Sequence, residues 1–163
     1  MDVVSYSNRP VTVTHANPKA WHATPRNLHH DLLQALSETG GMVGFSLYPH
    51  HLKSGSECSL EGFSDMVSNM IQTYGSKTFG IGSDLCQGQP DSVVNWMRNG
   101  HWRKKPGPTV KFPKPPTWFK DNSDFLGLAK GLRRSTLTNV DVDRLVGKNW
   151  MRFLEKALVP DER

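Results

Sequence analysis

Apolar and polar positions follow two different periods along this chain, and the change of period predicts its elements. The stretch 11–15 is rich in β-branched residues, is entered through Pro10 and is stopped by Ala16, Asn17 and Pro18, which predicts a short strand ending on His15. Leu28, Leu32, Leu33 and Leu36 then fall at helical spacing before Gly40 and Gly41, so 29–38 is expected to be a helix. Segment 42–48 is apolar nearly throughout, the pattern of a strand buried on both faces of a parallel sheet, and Pro49 closes it. Beyond an expected N-cap at Ser59, residues Phe63, Met66, Val67, Met70, Ile71 and Tyr74 mark the inner face of an amphipathic helix that stops at Gly75. Segment 79–84 gives a third short strand, with glycines that permit close backbone approach, and it finishes in Asp84.

This order of strand, helix, strand, helix, strand with short connections predicts right-handed βαβ units in a parallel sheet, an α/β fold. Parallel strands direct their C-terminal ends to one rim, so His15, Tyr48 and Asp84 are expected to gather where barrels and open sheets build active sites. After Gln89 the pattern changes. Pro90, Pro106, Pro108, Pro113, Pro115 and Pro116 are interleaved with Trp96, Trp102 and Trp118, which predicts a long loop or lid over 89–121 with one short helix at 92–98. Segment 122–134 reads as a helix with Phe125, Leu126 and Ala129 inward, and 140–146 and 150–158 as a helical pair separated near Gly147.

Length adds one constraint. A chain of 163 residues is expected to form a single domain, large enough for a core but below the roughly 250 residues of a closed eight-stranded barrel. No apolar run reaches the roughly 18 residues of a membrane span, and residues 1–10 lack the order of a signal peptide, so a cytoplasmic location and no membrane partner are expected. The net charge of +5 is dispersed except at 103–105 and 133–134, and nucleic acid is not an expected partner. Cys58 and Cys86 lack the close pairing of a structural zinc site and read as free thiols.

His15 is the sharpest candidate for chemistry. A neutral imidazole on a strand end is a well-held metal ligand, although a lone histidine there more often serves a structural hydrogen bond. Asp84 is placed to orient water or take a proton, against the commoner role of a cap or ion pair. The planar fork of Arg26 suits a substrate carboxylate, and its plain alternative is a surface ion pair. His29, His30 and Asp31 read as helix-capping residues. His50 and His51 follow Pro49 near the same rim, but neighbours on an extended segment point to opposite sides. Gly80 and Gly82 lack the third glycine and the following helix of a dinucleotide fingerprint.

Taken together, these segments resemble a known family. Residues 10–17, followed by Thr24, Pro25, Arg26 and Asn27, are similar to the region of the membrane (renal) dipeptidase family that carries its second zinc-ligand histidine and substrate arginine. Residues 41–48 resemble that family's next strand, Gly80-Ile81-Gly82-Ser83-Asp84 the strand with its catalytic aspartate, and Gly147-Lys148-Asn149-Trp150 its C-terminal Gly-Gly-Asn motif. The resemblance implies part of a (β/α)8 barrel that hydrolyses dipeptides or related amides with two zinc ions. It implies His15 as a zinc ligand, Arg26 and Tyr48 as substrate-binding residues, and Asp84 as the catalytic carboxylate. The family's N-terminal His-x-Asp pair, bridging glutamate, earlier zinc-ligand histidine and oxyanion-binding histidine have no counterpart here. Asp84-Leu85-Cys86 replaces Asp-Phe-Asp, the 89–121 segment is longer, and Lys148 stands at a glycine position. The expectation is therefore a C-terminal portion that begins before the sixth barrel strand, is completed by an N-terminal half, and alone binds zinc weakly and turns over no dipeptide. An open edge at 11–15 is expected to favour pairing, including homo-oligomers. The alternative is a non-catalytic binding or regulatory protein with the Trp- and Pro-rich loop as its contact surface.

Overall fold

The computed structural model describes residues 2–100, 103–105 and 107–158; Trp102 and Pro106 of the expected loop lie outside the described residues. Strands β1 (Thr12–Val13), β2 (Met42–Phe45) and β3 (Phe79–Ile81) form a parallel sheet in that order. Thr12 pairs with Met42, and Val43 and Phe45 with Phe79 and Ile81. A short helix α1 (Asp2–Tyr6) precedes the sheet, and helices α2 (His30–Glu38) and α3 (Leu60–Tyr74) make the two crossovers. This is the βαβαβ arc expected of part of a (β/α)8 barrel.

Each strand is shorter than its apolar run because the ladder gives way to side-chain bonds at the rim. The backbone N–H of Ser46 donates to Oδ1 of Asn17 at 3.1 Å instead of to a neighbouring strand. The carbonyl of Thr14 lies across both neighbouring strands, where a Cβ on Gly44 or Gly82 would come within 2.0 or 1.8 Å of its oxygen. Only glycine leaves room for that crossing.

The side chains of β2 and β3 that face the crossover helices make the core. Phe45 and Phe79 stack with centroids 4.8 Å apart, and Phe63 of α3 meets Phe45 edge-on. Leu33 and Leu36 of α2 and Val67 of α3 are buried against them. Removing each such side chain from water contributes about 1.5–3 kcal/mol. Ser59 caps α3 as its sequence predicts, accepting from the Gly62 N–H at 3.0 Å. The capping role expected of the histidines at α2 is not found. His29 makes no side-chain cap and its Nε2 accepts from Lys19, while His30 reaches Tyr74 across the interhelical gap. An imidazole is too long to fold back onto its own helix end when a neighbouring polar group is within reach.

Helix α4 (Asp91–Asn99) opens the proline-rich segment. The segment after it is sewn to α4 by amide side chains: Asn95 exchanges bonds with the Val110 backbone at 2.7 and 2.8 Å, and Oδ1 of Asn99 accepts from the Gly107 N–H at 2.7 Å. Its far end is pinned by aromatics, with Nε1 of Trp118 donating to the Cys58 carbonyl at 2.7 Å and Phe119 buried. Helix α5 (Phe125–Leu132) starts later than expected, after a 3-10 turn over Asn122–Asp124 that Asp121 caps. Its buried stripe is Leu128, Ala129 and Leu132; Leu126, expected inward, is 75% exposed because it falls one helical step off that stripe.

Helix α6 (Asn139–Asp143) begins with a Thr138–Asp141 capping box, and a wide turn over Arg144–Lys148, non-helical at Gly147, leads into α7 (Asn149–Ala157). Residues 149 and 150 then complete the sheet from outside. Val43 N–H bonds Thr78 and Gly82 N–H bonds Phe45, so the Phe79 and Ile81 carbonyls point away from β2. Asn149 donates to the Phe79 carbonyl at 2.7 Å and to Ser76 at 2.6 Å, and the Trp150 indole donates to Ile81 at 2.9 Å. The indole ring lies over Gly80, where a Cβ would come within 2.4 Å of it. The Gly-Lys-Asn-Trp run thus seals one edge of the sheet.

Candidate active site

The crossing at Gly44 and Gly82 decides where the functional side chains stand. By carrying the chain after β1 over the ends of β2 and β3, it brings His15 beside the turn that follows β3. Nε2 of His15 lies 3.9 Å from Oδ2 of Asp84, and both side chains are about one-third exposed, at 31% and 35%. Asp84 holds a left-handed backbone at φ 52°, a conformation that aspartate tolerates better than most residues and that turns its carboxylate back toward the rim.

Arg26 closes the group from the loop after β1, with Nη2 at 3.2 Å from Nε2 of His15. A guanidinium has only donors, so Nε2 accepts and the ring proton sits on Nδ1, where it donates to Oγ1 of Thr14 at 2.8 Å. The tautomer is therefore fixed by the neighbouring threonine, with the Nε2 lone pair directed at the rim. Three of the four residues expected at the site, His15, Arg26 and Asp84, converge.

Tyr48 stands on the same rim, with its ring edge-on to His50 and His51 at 5.4 and 5.3 Å. Burial pushes its phenol above the usual tyrosine range, against the lowering effect of the Arg98 charge. His51 is the residue that sequence reasoning undervalued. Pro49–His51 is a 3-10 turn, not an extended segment, so His50 is exposed while His51 turns inward at 5% exposure. The His51 ring stacks on His15 with centroids 6.2 Å apart, and its Nδ1 shares a hydrogen bond with Oγ of Ser46 at 2.8 Å. Burial lowers its pKa to about 4, against the raising effect of Asp84, so it is neutral at pH 7.

The turn that holds His51 is fixed by two asparagines. Asn17 Nδ2 donates to the carbonyls of Ser46 and His51 at 3.0 and 3.1 Å, and Asn27 Nδ2 donates to His51 at 3.0 Å. The Asn17 N–H in turn donates to Oδ1 of Asn27 at 3.0 Å. Asparagine directly after a predicted strand end was the one available signal for this clamp.

A cleft of about 660 Å³ opens over these groups. It is lined by Arg26, Tyr48, His51 and Asp84 and by Val94, Met97 and Arg98 of α4 with Phe112. The cavity holds a guanidinium fork and a carboxylate, with the His15 imidazole against both, a set suited to holding a small carboxylate-bearing substrate and moving a proton on it. Among the described residues no three His, Cys, Asp or Glu side chains stand close enough to share a metal ion, and the His15 imidazole offers a single acceptor nitrogen toward the rim. Cys58 and Cys86 are free, as expected. No helix among the described residues is long and apolar enough to cross a membrane.

Comparison with known proteins agrees with the fold. A curated protein of Klebsiella pneumoniae, described as an uncharacterized protein in the pqqA 5' region, is 24% identical over 160 residues, covering 96% of this chain and 50% of its own length. The chain thus spans about half the length of that curated relative. Among solved structures, an amidohydrolase from Pseudomonas aeruginosa matches with a TM-score of 0.86 at 23% identity, over 96% of this chain and 48% of that one. A metallopeptidase from Rhodobacter sphaeroides, liganded with a phosphinate mimic of the dipeptide L-Ala-D-Ala, matches with a TM-score of 0.72 at 23% identity, over 96% of this chain and 38% of that one. These two likenesses concern the fold, and they support the barrel arc. The family model for membrane dipeptidase, peptidase family M19, matches residues 1–98, from the start of the chain through the three strands to α4. This chain therefore belongs to the membrane dipeptidase family, a family of metallopeptidases.

Proposed function

We propose that this chain supplies the substrate-binding and proton-transfer side of a zinc-dependent dipeptidase site, with Arg26 and Tyr48 binding substrate, Asp84 catalytic and His15 a metal ligand. The convergence of His15, Arg26 and Asp84 at one rim, where Arg26 and Asp84 line the cleft, carries this reading, and the family supports it. Arg26 takes the substrate's C-terminal carboxylate through its two parallel N–H donors, which selects short substrates with a free C-terminus. When Arg26 turns from His15 to that carboxylate, it releases the Nε2 lone pair it now occupies. The same rotation that binds substrate thus frees a metal ligand.

Asp84 accepts a proton from the attacking water as the oxygen adds to the scissile carbonyl carbon. It then returns that proton to the departing amine nitrogen as the C–N bond breaks, leaving a carboxylate and a free amine. Tyr48 and neutral His51 wall the cleft and hold the substrate chain beside Asp84. A zinc ion, when bound, polarises the carbonyl and lowers the pKa of the water. A catalytic zinc takes about three protein ligands, so the ligands besides His15 come in this reading from a half-barrel outside these 163 residues.

The test is zinc content and dipeptide turnover, measured for this chain alone and for the chain assembled with a half-barrel that carries the remaining ligands. The expected result is weak zinc binding and no turnover alone, and turnover in the assembly that falls by about 100-fold or more with Asp84→Asn. Stoichiometric zinc with turnover by the chain alone contradicts the shared site. A zinc-loaded assembly without turnover contradicts the dipeptidase reading and favours a non-catalytic binding role.

A further inference from the structure

The cleft that Arg26 lines carries a second guanidinium on its α4 wall. Arg98 lies near the end of α4, at the last residue matched by the family model. The wall is held in place, because Asn95 and Asn99, either side of it on α4, bind the returning segment at Val110 and Gly107. Val94 of the same helix is buried beneath it. The Arg98 side chain forms no hydrogen bond or ion pair among the described residues, and its charge acts on the Tyr48 phenol.

The charges of the cavity are then unequal. Two guanidiniums, Arg26 and Arg98, line it with one carboxylate, Asp84. Met97 and Phe112 place apolar surface beside Arg98, enough to cover the methylene stem of a side chain whose tip is charged. A second guanidinium in a carboxylate-binding cleft favours a ligand with two carboxylates.

Building on the dipeptidase reading of this cleft, we propose that Arg98 makes it selective for dipeptides whose C-terminal residue is acidic. Arg26 holds the α-carboxylate and Arg98 the side-chain carboxylate. The proline-rich segment then has a role beyond covering the site, since it fixes the helix that presents the second guanidinium.

The experiment is a binding titration of the purified chain with Ala-Glu and with Ala-Gln, which differ in one charge, followed by NMR at low ionic strength. Wild type is expected to bind Ala-Glu about tenfold more tightly than Ala-Gln. Arg98→Ala removes the difference, Arg98→Lys keeps part of it, and Arg134→Ala, outside the cleft, leaves it unchanged. Equal binding of the two dipeptides by wild type, or an unchanged ratio in Arg98→Ala, overturns the proposal. Arg26→Ala separates the two levels of argument: if it weakens both dipeptides, the dipeptidase reading stands whatever Arg98 does, and if it weakens neither, that reading has itself failed.

Discussion

At the scale of single residues, the site depends on what is absent from two positions. Gly44 and Gly82 carry no side chain where the Thr14 carbonyl passes, and that passage sets His15 beside Asp84. Gly82→Ala would place a Cβ 1.8 Å from the carbonyl oxygen of Thr14, a contact that only backbone displacement relieves. The expected cost is about 3 kcal/mol, read as a lower urea midpoint with an unchanged slope. A variant as stable as wild type shows that the chain does not cross there. The placement of His15, Tyr48 and Asp84 at one rim was legible in the sequence because each stands at or just beyond a strand end, and Arg26, in the loop after the first strand, stood out by its planar fork. His51 was not, since its orientation depends on the 3-10 turn after Pro49 and on Asn17 and Asn27 reaching across from another loop. Arg98 was hidden for a similar reason: its approach to the rim is set by amide bonds between α4 and the returning segment, which no local pattern encodes.

Element boundaries show where local signals hold. Ser59 caps α3 and Asp121 caps the turn before α5 because a short polar side chain bonds its own backbone and needs no distant partner. The strands were overextended at the rim because apolar composition continues past the last ladder bond. Leu126 stands outward because apolar composition alone does not set a residue's angular position on α5. The Thr138–Asp141 box at α6 offers a pH test. A hydrogen bond from the Thr138 side chain, then one from Ser76, the Thr138 backbone and the Arg144 charge, hold the Asp141 carboxyl below its usual range despite some burial. A carboxylate whose folded pKa is depressed stabilises the fold above its unfolded pKa, and that contribution is lost as pH falls through the folded value. Asp141→Ala is therefore expected to lower the urea midpoint most at about pH 6, with the gap to wild type closing below about pH 4. A gap that does not change with pH contradicts the role given to the carboxylate.

Over the whole molecule, the sheet is an arc with unequal edges. The Phe79 and Ile81 carbonyls on the outer side of β3 are taken by Asn149 and Trp150, whereas β1 pairs with β2 alone among the described residues. The order of strands and helices was readable because alternating periods leave few topologies, and the right-handed crossover rule fixes their hand. The sealing of one edge was not readable, because it rests on side-chain bonds across about 70 residues of sequence. That edge and the glycine crossing together keep one rim free for the cleft.

The most direct measurement is an NMR titration of this chain with a dipeptide bearing a free C-terminus and with its C-terminal amide, for wild type and Arg26→Ala. The predicted result is perturbation centred on His15, Arg26 and Asp84, with the free acid bound about tenfold more tightly than the amide and that preference lost in the variant. Equal binding of acid and amide, or perturbation centred away from these three residues, would contradict a substrate site at the rim.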